Sequence, residues 1–331
     1  MYSMLSDLER EYLRTFARKE YTGLGGIVDL GCWLGSSTIA LASGLREHPD
    51  LQLRSALVHA YDLFIWDGWM NEVSAVRGTP LDGKYKPGDS FLEACRELTE
   101  PWKDNIRFYP GDLSRIGWSG GPIEFLFVDA MKSWPLANSI IHDFYPSLIP
   151  GISTIVQQDF GNFYVYWIHL ITHRLREYFQ PIYDIPCSES LCFKYVKQMP
   201  ESLLQTEYDL SSFSNHEIDA AFEYAKGLVA EEKRTFIAAA ELRCYLEKSD
   251  RGRVDRALFQ LSDFALTTVN RLQAIETQLR AARETDLWQA RSNLDLARNR
   301  ITAMESSKFW KLRHQWFRVK RKLHLPGWKM E

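Results

Sequence analysis

No apolar run in this sequence reaches the ~18 residues needed to cross a bilayer. The opening stretch carries Asp7 and Glu9 where a secretory leader requires a basic start and an apolar core, so the chain is expected in the cytoplasm. Cysteine is scarce. The five present (Cys32, Cys95, Cys187, Cys192, Cys244) are odd in number and form no C-x-x-C pair, which excludes a disulfide frame and a zinc ribbon. Net charge is also small, at −3, but unevenly spread. Residues 305–331 hold eight basic side chains against Glu305 and Glu331, which leaves −9 for the rest. A body of that sign is no general nucleic-acid binder, and only the tail suits an anionic surface.

Gly-x-Gly-x-x-Gly, the dinucleotide fingerprint, is missing as well. In its place stands Gly26-Ile27-Val28-Asp29-Leu30-Gly31-Cys32-Trp33-Leu34-Gly35-Ser36-Ser37-Thr38. A β-branched run predicts a buried strand, Gly31 and Gly35 a sharp turn, and Ser36 to Leu45 a helix. Backbone at such a turn can approach a ligand closely, and the helix start adds N–H groups to the same crevice.

Further strands are predicted at 57–62, 106–109, 123–128 and 153–158, with Asp62, Asp112, Asp129 and Asp159 at or just beyond their ends. The run Ile123 to Val128 is wholly apolar apart from Glu124, as suits the centre of a parallel sheet. Residues 182–185 and 191–196 alternate around a turn and read as a closing hairpin. Before all of these, residues 6–20 form an amphipathic helix capped by Ser6 with Glu9 three positions on. Helices are also expected at 89–98, 135–148 and 163–179. The long connection 63–105, with Trp66, Trp69 and Trp102, reads either as a lid or substrate wall or as a packed insertion.

The spacing acid-x-Gly-x-x-x-Gly resembles the first motif of the class I S-adenosylmethionine (SAM)-dependent methyltransferases, and its Gly-Ser-Ser-Thr ending resembles the sugar and small-molecule O-methyltransferase branch. The resemblance spans residues 20–200. It implies an α/β fold with a doubly wound, seven-stranded, mostly parallel sheet, and a donor held by Asp29, Gly31, Trp33, Gly35, Ser36, Ser37, Asp62, Asp112 and Asp129. Asp62 would accept the ribose hydroxyls and Asp112 would sit near the adenine amine. Phe127-Val128-Asp129-Ala130-Met131-Lys132 is similar to the catechol and caffeoyl-CoA type, which is magnesium-dependent. That likeness implies Asp129 and Asp159 as metal ligands and Lys132 as the base. Where the family has an amide or acid next to the later Asp, this chain has Phe160, with Asn162 two positions further on. The alternative is a metal-free enzyme whose base is His169 or His173, which share one face of a helix at i,i+4. No Asn/Asp-Pro-Pro-Tyr/Phe follows the fourth strand, which argues against base or amide N-methylation.

The implied acceptor is a hydroxyl of a sugar or other small molecule, such as a surface-glycan precursor. Two rival readings stay open: a non-catalytic coiled-coil partner of a membrane-associated glycan assembly, and a nucleotide-sugar or NAD enzyme on a Rossmann sheet. The methyltransferase domain is expected at 1–200, a linker at 201–216, a helical region at 217–305 and a basic aromatic tail at 306–331. Leu258, Leu261, Ala265, Thr268, Leu272, Ile275, Leu279 and Ala282 recur at 3,4 spacing, and Leu287 to Met304 resume it after a one-residue shift. This predicts a long helix or coiled coil, packed on its own body or on a second copy as a homo-oligomer. The tail interleaves tryptophan and phenylalanine with cations, a pattern for peripheral contact with an anionic membrane or for a solvated helix end.

Overall fold

The computed structural model describes residues 2–258. The seam beyond Leu258 and the 306–331 tail, with the oligomer and membrane contacts expected of them, lie outside the described residues.

The chain alternates strand and helix: β1 (Gly26–Leu30), α2 (Ser36–Arg46), β2 (Val58–Asp62), α3 (Leu92–Thr99), β3 (Ile106–Pro110), β4 (Ile123–Val128), α4 (Trp134–Asp143), β5 (Thr154–Gln157) and α5 (Trp167–Arg174), after a first helix α1 (Asp7–Thr15). The hairpin of β6 (Phe179–Asp184) and β7 (Leu191–Tyr195) follows. One seven-stranded sheet results, in the order β3-β2-β1-β4-β5-β7-β6, parallel except at β7, which runs antiparallel to both its neighbours. This is the doubly wound architecture expected. Strand order turns back between β1 and β4, and in such sheets the crevice beyond the carboxyl ends of those strands is where ligands bind.

The alternation of side chains along β4 explains the layering. Phe125 and Phe127 pack with Leu13 and Phe16 from the α1 segment and Leu41 and Leu45 of α2 on one face. Leu126 and Val128 meet Ile140, Ile141 and Phe144 on the other. Every residue of β4 is buried, as a central strand covered on both sides requires. Even Glu124 is accommodated, its carboxylate accepting from the backbone N–H of Thr22 at 2.6 Å and of Leu24 at 2.8 Å. The predicted cap of α1 is present: Glu9 N–H donates to Ser6 Oγ at 3.2 Å and Ser6 N–H to Glu9 Oε2 at 2.8 Å. The helical path then widens to a π turn over Phe16–Glu20, reaching the expected end.

Beyond Pro200 the described residues stay within the same compact unit. Residues 201–216 are no free linker: they include α6 (Glu201–Leu204) and bury Tyr208 and Phe213. Two further helices, α7 (Asn215–Leu228) and α8 (Glu231–Glu247), lay Ile218, Phe222, Ile237 and Tyr245 into the core that holds α4 and α5. Polar pairs fasten them. Arg174 of α5 pairs with Glu217 of α7, Lys233 of α8 with Asp184 of β6, and Lys226 meets Glu241 at 2.7 Å. In the connection 63–105, Trp66 is fully buried against Tyr85 and Phe91, while Trp69 stays half-exposed. Among the described residues no helix is long and apolar enough to cross a membrane.

Candidate functional site

At the carboxyl ends of β1 to β4 lies a crevice of about 250 Å³. Gly31, Trp33, Asp62, Asp112, Asp129 and Lys132 all reach its wall, each from the segment following a different strand or from the same turn. Its other lining is apolar and comes from Met4, Leu63, Trp69, Met70, Leu113, Ala130 and Leu136, with Gly111 beside Asp112.

The turn after β1 has the geometry its glycines predict. Gly31 adopts φ +88°, and a Cβ there would stand 2.6 Å from the carbonyl oxygen of Asp129. Gly35 takes φ +85° at the start of α2, which has no side-chain cap. Trp33 and Phe64 are also left-handed, at φ 45° and 53°, without glycine's freedom. Both are held by one side chain: Asp62 Oδ2 accepts from Trp33 N–H and Oδ1 from Phe64 N–H, each at 2.8 Å. Burial raises the Asp62 carboxyl while those N–H groups oppose the rise. Asp112, near the solvent, is drawn down by the Ser114 backbone N–H, 2.9 Å from Oδ1.

Asp29 lies behind the wall rather than on it. Its carboxylate is fully buried, with Oδ2 accepting from Thr38 Oγ1 at 2.6 Å and Ser37 Oγ at 2.8 Å. Oδ1 has no protein partner. Burial pushes the carboxyl up to about 6, with the Thr38 and Ser37 hydroxyls opposing and the Asp62 charge adding. Ser37 therefore serves Asp29, and Ser36 Oγ lies 2.7 Å from Ser3 Oγ, which brings the start of the chain and Met4 to the crevice. Gly35, Ser36 and Ser37 shape the floor without lining it.

Lys132 joins two acids. Its Nζ donates to Asp129 Oδ1 at 2.6 Å and also to Asp159 Oδ2. Burial alone would lower the lysine, but the Asp129 and Asp159 charges raise it above its ordinary value. That is the wrong direction for a general base, so the role expected of Lys132 is not the one its surroundings favour. Asp129 is pushed up by burial and by Asp159 and Asp29, with Lys132 pulling the other way. Asp159 is buried one step behind the wall, 3.4 Å from the Asn162 amide. Glu189 is raised by burial and by Asp159.

The two histidines are not brought to the crevice. His169 is buried, edge-on to Phe160 at 5.0 Å between ring centroids and 5.6 Å from Phe222, and neither ring nitrogen has a partner. Burial lowers it to about 3. His173 packs against Tyr224 of α7 at 5.7 Å and is lowered by burial. Their shared face is the one that docks α7.

A cationic nucleoside suits this crevice. Carboxylates sit at the strand ends, an apolar wall stands opposite, and Asp29 Oδ1 and Trp33 Nε1 are buried polar atoms without protein partners. A divalent ion does not fit as the side chains stand, because an ammonium joins the two carboxylates that would hold it. Among the described residues no three His, Cys, Asp or Glu side chains converge as a metal site. The expected pair Asp129 and Asp159 is thus brought together, but by a lysine.

No family model matches the chain, and no curated protein does. Among solved structures it is similar to the calicheamicin methyltransferase CalS11, with a TM-score of 0.38 and 12% identity over 56% of this chain and 76% of that one. It is also similar to two segments of the StiE O-methyltransferase. Residues 961–1257 give a TM-score of 0.31 at 11% identity, over 69% of this chain and 68% of that one. Residues 942–1257 give 0.30 at 13%, over 73% and 69%. These likenesses are distant.

Proposed function

We propose that this chain is a SAM-dependent O-methyltransferase acting on a hydroxyl of a sugar or other small molecule. The observation that carries the reading is the convergence of Asp62, Asp112 and Asp129 on one crevice at the point where the sheet order turns back. SAM would supply an electrophilic methyl group on a sulfonium.

Asp62 would accept the two ribose hydroxyls while keeping its backbone N–H bonds, since each carboxylate oxygen has two acceptor sites. Leu63, Trp69, Met70 and Leu113 offer an apolar wall to the purine, with Asp112 beside its amine. Behind the wall, Asp29 Oδ1, left without a protein partner, would accept from the ammonium of the amino-acid end, and the start of α2 in the floor would favour its carboxylate. On the acceptor side, Lys132 orients the hydroxyl oxygen. Asp129, raised by burial among other acids, is the crevice carboxylate suited to take the hydroxyl proton as the oxygen attacks. Most of the rate then comes from holding oxygen and methyl in line.

A surface-glycan precursor in the cytoplasm is the acceptor this reading favours. Calorimetry with SAM and S-adenosylhomocysteine tests the donor half: micromolar binding abolished in Asp62→Ala is expected, and heat from NAD or a nucleotide sugar instead would replace it with the Rossmann-enzyme reading. No binding of any of these would favour the scaffold. For the acceptor, glycans from cells lacking the protein should miss the mass of one methylene.

A further inference from the structure

We infer that the Lys132 ammonium is a resident cation, holding the place between Asp129 and Asp159 where a divalent ion would otherwise sit, so that the site orients its acceptor without metal. The observation is geometric. A single nitrogen bridges carboxylates that belong to segments following two neighbouring strands, β4 and β5, at 2.6 Å from Asp129 and in contact with Asp159. Asp159 is buried, and its second oxygen accepts from the Asn162 amide, at 3.4 Å. The two acids therefore already share one counter-charge. A divalent ion entering between them would meet that ammonium at contact distance, and would either be repelled or have to expel it.

Two things follow for the acceptor, and this half rests on the O-methyl-transfer reading. A metal ion chelates two neighbouring oxygens at once, through several open coordination positions. An ammonium has three N–H donors. Two are spent on Asp129 and Asp159, which leaves one for the crevice that Lys132 lines. The site is thus built to receive one acceptor oxygen, and a vicinal pair of hydroxyls is not a requirement. The lysine acts through charge and direction, as a positioning residue that stays protonated.

The cation half can be read with no donor or acceptor present. Mn²⁺ is titrated into the full-length protein and free Mn²⁺ is followed by its electron paramagnetic resonance signal. Wild type is expected to leave that signal undiminished, and so is Lys132→Arg, which retains a cation. Lys132→Ala, which leaves two unneutralised carboxylates, should gain Mn²⁺ binding, and Lys132→Ala with Asp159→Ala should lose it again. Wild-type binding of Mn²⁺ that disappears in Asp159→Ala overturns the inference, and this arm needs no lysine variant to fold. Equal titrations for wild type and a folded Lys132→Ala, whether both bind or neither does, overturn it too, because the ammonium would then not control the locus. Failure here leaves SAM binding untouched, whereas failure of the methyltransferase reading appears in the calorimetry.

Discussion

Replacing Asp29 with asparagine should stabilise the protein near neutral pH while weakening its hold on a cationic ligand. The carboxyl is fully buried, and burial raises it from 3.8 to about 6. A carboxyl with a higher value in the folded than in the unfolded chain makes the folded state bind the extra proton. Below pH 4 both states are protonated and the group costs nothing. Between about 4 and 6 the unfolded chain ionises first, so stability falls as pH rises, and above 6 the loss is complete and constant. Two pH units at about 1.4 kcal/mol each make that loss about 3 kcal/mol. Asparagine keeps an oxygen for Thr38 and Ser37 but carries no charge. The assay is denaturant unfolding of both proteins across pH 4 to 7.5. The difference in stability between variant and wild type should grow through the window and then level off, with other titrating groups cancelling. A difference independent of pH would refute the reasoning. S-adenosylhomocysteine, whose ammonium would supply the missing counter-charge, should flatten the slope in wild type and bind the variant less tightly.

Other expectations concern the same layer of residues. Gly31→Ala should lower stability by about 1–3 kcal/mol or more, seen as a drop in melting temperature, because the new Cβ combines a left-handed backbone with a 2.6 Å approach to the Asp129 carbonyl. His169→Phe should keep both fold and methyl transfer, since it replaces two unpartnered ring nitrogens among Phe160 and Phe222; a hundredfold loss of rate with an unchanged melting temperature would return that histidine to the chemistry. Truncation after residue 200 should give an aggregating product by light scattering, whereas truncation after 258 should stay monodisperse, because α7 covers the face of α5 that carries His169 and His173, and α8 packs on α7.

The strands and their terminal acids were legible because a parallel sheet imposes a regular punctuation: apolar run, turn, helix. Asp62, Asp112 and Asp129 fall where that rhythm puts them. The cap of α1 was legible because Ser6 and Glu9 act over three residues. Less could be read where a pattern names a face but not its neighbour. His169 and His173 do share a side of α5, yet spacing cannot say that α7 lies against it. The helical region expected at 217–305 likewise does not say whether it meets its own body or another copy. Met4, Leu63, Trp69 and Met70 carried no periodic signal, since they line the crevice from loops and a short 3₁₀ turn. Lys132 was located by its motif, but its role depends on Asp159, which is distant in sequence.

Asp62 has two obligations. The carboxylate proposed to grip a ribose is also the clasp that keeps Trp33 and Phe64 in left-handed backbone. By thermodynamic reciprocity, whatever strengthens one engagement reports on the other. Amide hydrogen exchange at Trp33 and Phe64 should therefore slow on saturation with nucleoside, so that two backbone protons register occupancy of a sugar site.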